Sequence, residues 1–374
     1  MFFLGAQLAT HRKATIPGRT MALNTNDNVA VFLEKGVLTV KTTETPTPAK
    51  HEVLIAVDSV GICGTDVHIW MTGNFGDKIV KAPLILGHEP SGVVAALGEG
   101  VTRLKVGDRV AIEPSILCRT CDYCKRGRYN LCTDLKFCGV PPTNGTLVRY
   151  YCHPDDLCHK LPDHVSLEEG AMLETLAVGV YACERAGVTL GSKILIGGAG
   201  SIGLVTLLTA KAMGATDIVV TDIDQSRLEC AKQLGADYTM VADSKDVRKF
   251  AKKIEHALGC MPDIAIECCG APSSVQTGIY ATKPGGVVCL VGLGPDDATI
   301  PISNAITREI NIRTISHYGH GYPTALSMVA SGKIDVKPLV THKFPLAKSL
   351  DAFEAAKKGE NGTIRVMIKV SDTS

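Results

Sequence analysis

One stretch of the chain, from Lys193 to Asp222, restricts the fold more than any other. A short apolar strand pattern leads into the sequence GGAGSIG at 197–203, and an apolar helix pattern follows. The spacing G-x-G-x-x-G falls on Gly198, Gly200 and Gly203. The first glycine permits a tight turn, the second lets a pyrophosphate approach the backbone, and the third lets the helix pack on the strand. The stretch therefore predicts a strand–turn–helix unit that binds a dinucleotide, and an ordinary glycine-rich loop is the less favoured interpretation.

The second half of this stretch indicates which dinucleotide binds. An apolar strand pattern over 218–221 ends at Asp222, 19 residues after Gly203, where an acid that binds the ribose is expected. Its carboxylate can accept hydrogen bonds from both ribose hydroxyls, but it would repel a 2′-phosphate. The sequence therefore favours NAD over NADP and disfavours a reductase that uses NADPH.

The charge balance excludes several classes of partner. The chain has 39 Lys and Arg against 38 Asp and Glu, so a net charge of +1 offers no field that attracts nucleic acid or an anionic membrane. The uncharged apolar stretch 194–210 is only 17 residues long and is broken by glycines, which argues against a membrane span. We therefore expect small molecules as ligands.

The cysteine content and the N-terminal residues indicate the cellular compartment in which the protein works. The 14 cysteines, in a chain without a convincing secretory signal, predict a reducing compartment, the cytoplasm, where thiols bind metal or pack in the core. Residues 1–26 contain no acid and carry several basic residues, a composition compatible with a mitochondrial import signal. Translation from Met21 would instead leave this extension as a disordered tail, and we prefer that interpretation.

The length and the order of patterns predict two domains of α/β class, since domains usually hold about 100–200 residues. Short strands and turns fill 27–175 and predict a β-barrel domain, at whose end Ser166 to Glu169 form a capping box that opens a long helix. Strands and helices alternate over 176–311, which predicts a doubly wound parallel sheet. Residues 312–374 are too few for a third domain, so we expect them to return to the barrel.

Four cysteines in one lobe, 115–135, predict a structural zinc site. Cys118, Cys121, Cys124 and Cys132 have the spacing C-x2-C-x2-C-x7-C. Four thiolates suit a tetrahedral zinc that has no open position and cannot activate water. A zinc finger that contacts DNA and a chance set of buried cysteines are less favoured, because the chain has little net charge and the segment has no apolar periodicity.

A second set of residues predicts a catalytic metal. Cys63 lies in the sequence GICGTD at 61–66, and His88 and Glu89 lie in GHEP at 87–90. Each residue alone has a structural explanation. Together they supply sulfur, nitrogen and oxygen ligands, the mixture found at a zinc that keeps a position for substrate.

The combined motifs resemble the zinc-dependent medium-chain dehydrogenase/reductase superfamily, and within it most closely the sorbitol (polyol, L-iditol 2-) dehydrogenases. The resemblance covers about 29–370, and the closer similarity rests on Val60–Trp70, Val106–Pro114, Gly127–Asn130, Glu169–Gly179 and Lys337–Leu346. It implies a GroES-like barrel domain interrupted by a Rossmann domain, with one catalytic and one structural Zn²⁺, NAD as cofactor, and a homotetramer.

The resemblance also implies roles for individual residues. Cys63, His88 and Glu89 match the zinc ligands, and Glu174 matches a glutamate that binds zinc directly or through water. Asp66 is expected to accept a hydrogen bond from His88, and Thr65 to touch the substrate oxygen. The expected NAD contacts, besides the three glycines, are Ile202, Asp222, Arg227, Val291, Gly292, Leu293, Ile315, Ser316 and His317. A solvated helix residue is an equally favoured interpretation of Arg227.

The expected substrate contacts are Ile69, Glu174, His317 and Tyr318, and two of them depart from the polyol pattern. Ile69 replaces a tyrosine, and Ser316-His317 stands where Phe-Arg is usual. Thr175 replaces a proline beside the substrate glutamate. The resemblance implies reversible oxidation of a polyol secondary alcohol to a ketose, of the sorbitol-to-fructose type. A shorter polyol such as xylitol or arabinitol, another secondary alcohol, and an inactive dinucleotide-binding protein remain as alternatives.

Overall fold

The computed structural model describes residues 13–16, 19–22, 28–359 and 362–371. The strands β1 (Lys13–Ile16) and β2 (Arg19–Ala22) pair antiparallel. The rest of the N-terminal extension, on which the expectations of disorder and import depend, lies outside these residues. Within the described ranges no helix is long and apolar enough to cross a membrane.

The first half of the chain is rich in short strands. Its further strands are β3 (Asn28–Glu34), β4 (Val37–Thr43), β5 (Glu52–Gly61), β6 (Asn74–Phe75), β7 (Lys78–Ile79), β8 (Leu84–Ile85), β9 (Glu89–Leu97), β10 (Arg109–Ile112), β11 (Ser115–Ile116), β12 (Lys136–Phe137), β13 (Tyr150–Pro154) and β14 (Cys158–Lys160). Its helices are α1 (Gly64–Thr72), α2 (Asp122–Lys125), α3 (Leu167–Ala171) and α4 (Leu173–Ala186), with 3-10 turns at Tyr129–Leu131 and Asp155–Leu157.

Strands and helices then alternate up to residue 314. The strands are β15 (Lys193–Gly197), β16 (Asp217–Asp222), β17 (Tyr238–Val241), β18 (Ile264–Glu267), β19 (Val287–Leu290) and β20 (Asn311–Thr314). The helices between them are α5 (Ser201–Ala212), α6 (Gln225–Gln233), α7 (Val247–Leu258), α8 (Pro272–Ala281) and α9 (Ile302–Thr307). The chain ends with α10 (Gly321–Ala330), β21 (Val340–Pro345), α11 (Ser349–Lys358) and β22 (Arg365–Lys369), with 3-10 turns at Lys337–Leu339 and Leu346–Lys348.

The barrel-type sheet joins the two ends of the chain. Its strand order is β14-β10-β9-β5-β22-β21, and β13 also pairs with β5. The central strand β5 has the sequence EVLIAVDSVG, whose β-branched residues favour a pleated, buried surface. The late strand β22 pairs antiparallel with β5, so that Met367 lies opposite Gly61. This pairing brings residues near the C-terminus beside the metal-ligand candidates.

The second sheet is parallel and has six strands in the order β17-β16-β15-β18-β19-β20. The chain reverses its direction of progress between β15 and β18, which is the point where doubly wound sheets bind dinucleotides. The central strands consist mainly of apolar residues whose side chains are buried, as expected for a parallel sheet covered on both faces. The edge strand β20 continues to Thr314, so the predicted boundary after residue 311 falls inside a strand of this sheet.

The helix expected from Ser166 to about Arg185 is two helices, α3 and α4, that meet at Met172. The predicted capping box is present: the Ser166 hydroxyl accepts from the Glu169 backbone N–H at 3.2 Å, and Glu169 accepts from the Ser166 N–H at 2.8 Å. The second helix packs on α5 and on both domains. It therefore carries its buried residues Glu174 and Thr175 into the region between the sheets.

Buried His153 in β13 gives stability a pH dependence. Its Nε2 donates to the Glu113 carbonyl at 2.8 Å, and burial lowers the pKa of His153 to about 4. The unfolded histidine, with a pKa of about 6.5, takes up a proton as the pH falls, while the folded one does not. The free energy of unfolding contributed by His153 is therefore complete above pH ~6.5 and is lost between pH ~6.5 and ~4.

We expect the replacement His153→Gln, which retains a donor, to remove this contribution. Urea unfolding at pH 7 and pH 5 measures it: the wild-type protein should lose about 2 kcal/mol more than the variant between these two pH values. Equal losses would show that His153 is not the group that titrates.

Candidate active site

Three metal-ligand candidates meet where β5, α1 and β9 adjoin. Cys63 is the N-cap residue of α1, His88 precedes β9, and Glu89 begins it. Their ligand atoms all lie within 4.8 Å of one another, and His88 and Glu89 are buried. Gly61 lies opposite Glu89 in the sheet, and a Cβ atom at Gly61 would overlap the carboxylate of Glu89. The sequence G-I-C therefore leaves space for the acid on the neighbouring strand.

Asp66 holds the two ligand-bearing segments together. Its fully buried carboxylate accepts from the Cys63 N–H at 3.0 Å and from the Gly87 N–H at 2.9 Å. Its Oδ1 lies 3.3 Å from Nδ1 of His88. That pair lacks the geometry of a formed hydrogen bond, and His88 Nδ1 has no other partner among the described residues. Asp66 therefore fixes the backbone on both sides of the site.

Arg365, in β22, is a buried cation beside these acids. Its Nη1 donates to both carboxylate oxygens of Glu89, at 2.7 and 2.9 Å, and to the Ile62 carbonyl at 2.9 Å. Only 3% of its side chain is exposed. Sequence reasoning missed Arg365, although a charged residue at the start of the otherwise apolar run VMI was an available signal.

Glu174 and Tyr318 lie at the edge of the metal-ligand group. Glu174 is buried but is not a member of the described set whose ligand atoms lie within 4.8 Å. Burial, and next the charge of Glu89, raise the pKa of Glu174 to about 7. The buried hydroxyl of Tyr318 lies close to this carboxylate, but the pair lacks the geometry of a formed hydrogen bond. Both groups can therefore receive a polar ligand.

The donor set fits a zinc ion. One thiol, one imidazole and one carboxylate converge, and the further acids Asp66 and Glu174 lie close by. Burial lowers the pKa of His88, but the charges of Asp66 and Cys63 raise it well above its ordinary value. Arg365 is the permanent cation that pairs with Glu89. A buried cluster of acids and a thiol favours a bound cation, and a mixed S, N and O set is what catalytic zinc uses.

The cysteine lobe also fits zinc. The four sulfur atoms of Cys118, Cys121, Cys124 and Cys132 lie within 4.8 Å of one another, and Cys118 and Cys124 are 3.9 Å apart. A tetrahedron with Zn–S bonds of about 2.3 Å has sulfur–sulfur edges of about 3.8 Å. Backbone N–H groups of Cys121 and Thr120 lower the pKa of Cys118 to about 6, which favours the thiolate form.

The lobe supports the loop that carries His317. The Asn130 side chain donates to the Ser316 carbonyl at 2.9 Å, and the Tyr129 hydroxyl accepts from the His320 N–H at 2.8 Å. The ring of His320 contacts the Gly127 carbonyl at 2.9 Å. The lobe is therefore attached to the returning segment.

The expected substrate contacts differ in their surroundings. The half-buried His317, with φ of 48°, stacks its ring on Phe137 at 4.5 Å, and Phe137 lies 5.3 Å from the ring of His88. Burial, and then the charges of His88 and Lys78, lower the pKa of His317 to about 4, so its imidazole is neutral near pH 7. Ile69 is 0% exposed in the barrel core. Phe137, which sequence reasoning did not identify, therefore lies beside both His317 and His88.

The glycine turn has the shape required for a dinucleotide. Gly198 has φ of 101°, a Cβ atom at Gly203 would overlap the Gly198 carbonyl, and one at Gly200 would meet nothing within 4 Å. The open space at Gly200 lies at the N-terminus of α5, where phosphates bind. Asp222 ends β16, and its carboxylate accepts from the Ala199 N–H at 2.6 Å. The acid therefore adjoins the turn.

The remaining expected cofactor contacts lie near the carboxyl ends of the parallel strands. Val291, Gly292 and Leu293 follow β19, and residues 315–317 follow β20. Leu293 is 74% exposed, and a Cβ atom at Gly292 would overlap the Gly270 backbone. Ile202 is half-buried in the first turn of α5. Arg227 lies on α6 with its Nε 4.0 Å from a carboxylate oxygen of Asp224 and its guanidinium beside Gly359.

Comparison with known proteins places this geometry in a family. The family model of the alcohol dehydrogenase GroES-like domain matches residues 49–163, and that of the zinc-binding dehydrogenases matches residues 201–331. The chain is 51% identical to sorbitol dehydrogenase of Gallus gallus over 350 residues, which are 93% of this chain and 98% of that protein. It is also 51% identical to the Homo sapiens sorbitol dehydrogenase over 324 residues, covering 87% and 90% of the two chains. The chain belongs to the zinc-binding dehydrogenase family.

A solved structure agrees with this assignment. An Escherichia coli oxidoreductase/dehydrogenase of unknown specificity superposes with a TM-score of 0.87 and 38% identity, covering 92% of this chain and 99% of that one. The resemblance to zinc-dependent medium-chain dehydrogenases and the predicted fold class, a GroES-like domain with a Rossmann sheet, are both confirmed. The zinc-binding dehydrogenase described here has its metal-ligand candidates next to its dinucleotide turn.

Proposed function

We propose that this zinc-binding dehydrogenase catalyses the reversible, NAD-linked oxidation of a polyol secondary alcohol to a ketose, of the sorbitol-to-fructose type. The observation that carries the proposal is the position of Arg365. Its Nη1 contacts Glu89 of the metal-ligand group, and its Nη2 contacts Ser201 at 3.0 Å in the dinucleotide turn. One guanidinium therefore spans the distance between the two sites. Hydride transfer between a metal-held substrate and a nicotinamide requires the sites to be this close. The 51% identity to sorbitol dehydrogenases supports the polyol as substrate.

The residues of the chain then have distinct tasks. Cys63, His88 and Glu89 would hold zinc, and Glu174 would bind the metal directly or through water. When bound, zinc would supply a Lewis acid for the substrate oxygen and NAD would supply the hydride acceptor. Thr65, a half-buried residue in the first turn of α1, would touch the substrate oxygen and begin the proton path, accepting a proton as it passes its own hydroxyl proton on. The buried walls around Tyr318 would keep water away from the reacting carbon.

The cofactor is NAD because of Asp222. We expect Asp222→Asn to reduce the preference for NAD over NADP, measured as the ratio of kcat/KM values, by at least about tenfold, since a hydrogen bond to a charged group contributes about 1.5–3 kcal/mol. Asp217→Asn, at the other end of β16, is the matched control and should retain the wild-type ratio. An unchanged ratio in Asp222→Asn would refute the role of this acid.

The distal end of the substrate is proposed to meet His317. Steady-state kinetics with sorbitol, xylitol and arabinitol should show that His317→Ala raises KM about tenfold for the preferred polyol, because a hydrogen bond and a stacked wall are lost together. His256→Ala, an exposed histidine on α7, is the control. If KM and kcat of His317→Ala match those of the wild-type protein for every polyol, His317 has no part in specificity.

An activity panel with metal analysis tests the proposed function as a whole. Sorbitol, xylitol, ribitol, arabinitols, threonine and simple secondary alcohols are offered with NAD, with and without a chelator. We expect polyol-dependent reduction of NAD that the chelator abolishes, and about two zinc ions per chain. Absence of NAD reduction with every alcohol would favour the alternative of an inactive dinucleotide-binding protein.

We also propose a homotetramer that works in the cytoplasm. The edge strand β20 is exposed along its length, and Ile302, Ile306 and Ile312 expose apolar surface beside it, which favours pairing with a second copy. The free state of all 14 cysteines supports a reducing compartment. Light scattering on the purified chain tests the assembly.

A further inference from the structure

Arg365 contacts four separate segments of the chain. Besides Glu89 and the Ile62 carbonyl in the barrel, it reaches two hydroxyl groups with its other terminal nitrogen. Nη2 donates to Thr175 Oγ1 at 2.8 Å and to Ser201 Oγ at 3.0 Å. Thr175 lies in α4 and Ser201 is the first residue of α5, so the guanidinium joins the barrel to both helices.

The two hydroxyls determine how the guanidinium is oriented. Thr175 is 0% exposed, and the Nε atom of Arg365 has no partner in the described ranges. Because the guanidinium is a planar, rigid fork, acceptors on Nη2 also fix the direction in which Nη1 points. The contacts of Nη2 therefore control how well Nη1 is oriented to donate its hydrogen bonds to Glu89. A proline at position 175 or an alanine at position 201 would offer no side-chain oxygen to this nitrogen.

Ser201 is also where the cofactor would arrive. It begins α5 directly after Gly200, whose open side faces the space that the glycine turn leaves for phosphates. A phosphate oxygen is a stronger acceptor for a guanidinium than a neutral hydroxyl. A dinucleotide at this turn would therefore compete with Ser201 for Nη2, turn the fork, and weaken its hold on Glu89.

We infer that Thr175, Ser201 and Arg365 form a positioning network through which a bound dinucleotide strengthens the hold of Glu89 on the metal. This inference rests on the proposed function. When Nη1 moves away from Glu89, the carboxylate lone pairs become available to the zinc ion. By linkage, zinc at Cys63, His88 and Glu89 strengthens dinucleotide binding by the same factor. None of these three residues touches the reacting atoms.

The rate at which the holoenzyme loses zinc to a chelator measures this coupling without recording activity. We expect saturating NAD to slow the loss of the zinc held by Cys63, His88 and Glu89, while the zinc of the cysteine lobe, an internal reference, leaves at an unchanged rate. The slowing factor is the rate of zinc loss without NAD divided by the rate with saturating NAD. In Thr175→Val and Ser201→Ala this factor should fall about fivefold, the effect of one lost hydrogen bond. By linkage, the factor by which zinc strengthens NAD binding, measured by calorimetry on zinc-loaded and zinc-depleted protein, should fall by the same amount.

A matched substitution controls for general destabilisation. Thr209→Val changes a buried hydroxyl on the same helix, α5, that has no partner among the described side chains, and it should retain the wild-type factor. Arg365→Met is avoided because it would leave Glu89 buried without its cation and could fail to fold.

The outcomes separate the two proposals. Suppose that wild-type protein reduces NAD with a polyol, but that NAD slows zinc loss from Thr175→Val and Ser201→Ala as much as from the wild-type protein. The network is then refuted and the proposed function stands. A factor that falls equally in Thr209→Val also refutes the network. If wild-type protein neither binds NAD nor oxidises any polyol, both proposals fail.

Discussion

Replacement of Cys63 by serine is expected to reduce polyol-dependent NAD reduction at least about a thousandfold and to remove one of two bound zinc ions. Loss of a group that only orients a metal ligand typically costs 10–100-fold, and Cys63 is proposed to be a ligand itself. A serine hydroxyl is a weak ligand near neutral pH, whereas the thiol lies within 4.8 Å of both other donors.

The measurement combines steady-state kinetics with zinc analysis of the purified variant. Circular dichroism should match that of the wild-type protein, because the N-cap position of α1 retains a small polar side chain. Cys230→Ser on α6, a half-buried thiol outside both cysteine-containing metal groups, is the matched control and should retain activity and two zinc ions. Full activity in Cys63→Ser, or loss of no zinc, would disprove its role.

The second large effect is expected in the lobe, where Cys124→Ser should remove the other zinc ion and destabilise the protein by at least about 4 kcal/mol. Structural zinc binds with apparent free energies of roughly 10–16 kcal/mol in zinc-finger peptides, and loss of one of four thiolates forfeits much of this. The lobe has little apolar packing of its own: α2 is four residues long and contains no buried residue. The metal therefore replaces a hydrophobic core there.

This variant should also affect the substrate site at a distance. Asn130 and Tyr129 hold the backbone of Ser316 and His320, so a loosened lobe should release the loop that carries His317. We expect KM for the polyol to rise while the zinc held by Cys63 remains. Lys125→Ser, an exposed position beside Cys124, is the control. Thermal unfolding, zinc content and KM test the prediction, and a variant that retains two zinc ions and wild-type stability would contradict it.

Those parts of the site whose functional residues lie close together in sequence could be predicted. The glycine turn, the four cysteines and the sequence GICGTD each lie within one local segment, so their geometry follows from a few consecutive residues. Prediction was weaker where side chains meet across the fold. Phe137, which stacks on His317, was not identified, and the expected contact of Ile69 with substrate stays a prediction.

Arg365 illustrates the same limit most clearly. It lies 276 positions from Glu89 and 164 from Ser201 in sequence, yet it donates hydrogen bonds to both. Nothing in the local pattern of β22 indicates these partners. They are brought together only because β22 pairs with β5, which places Met367 opposite Gly61 at the metal-ligand group.

The sequence by itself determined the two kinds of metal group, the dinucleotide turn and its acid, and the alternation that makes a doubly wound sheet. These features depend on local spacing, because backbone geometry fixes the reach of residues close in the chain. Only the tertiary structure decided which cation neutralises Glu89, which aromatic ring lies beside His317 and how the two sites are joined. Those contacts depend on strand pairing between segments that are distant in sequence. A buried charge needs a partner, and the fold decides which residue comes within hydrogen-bonding distance.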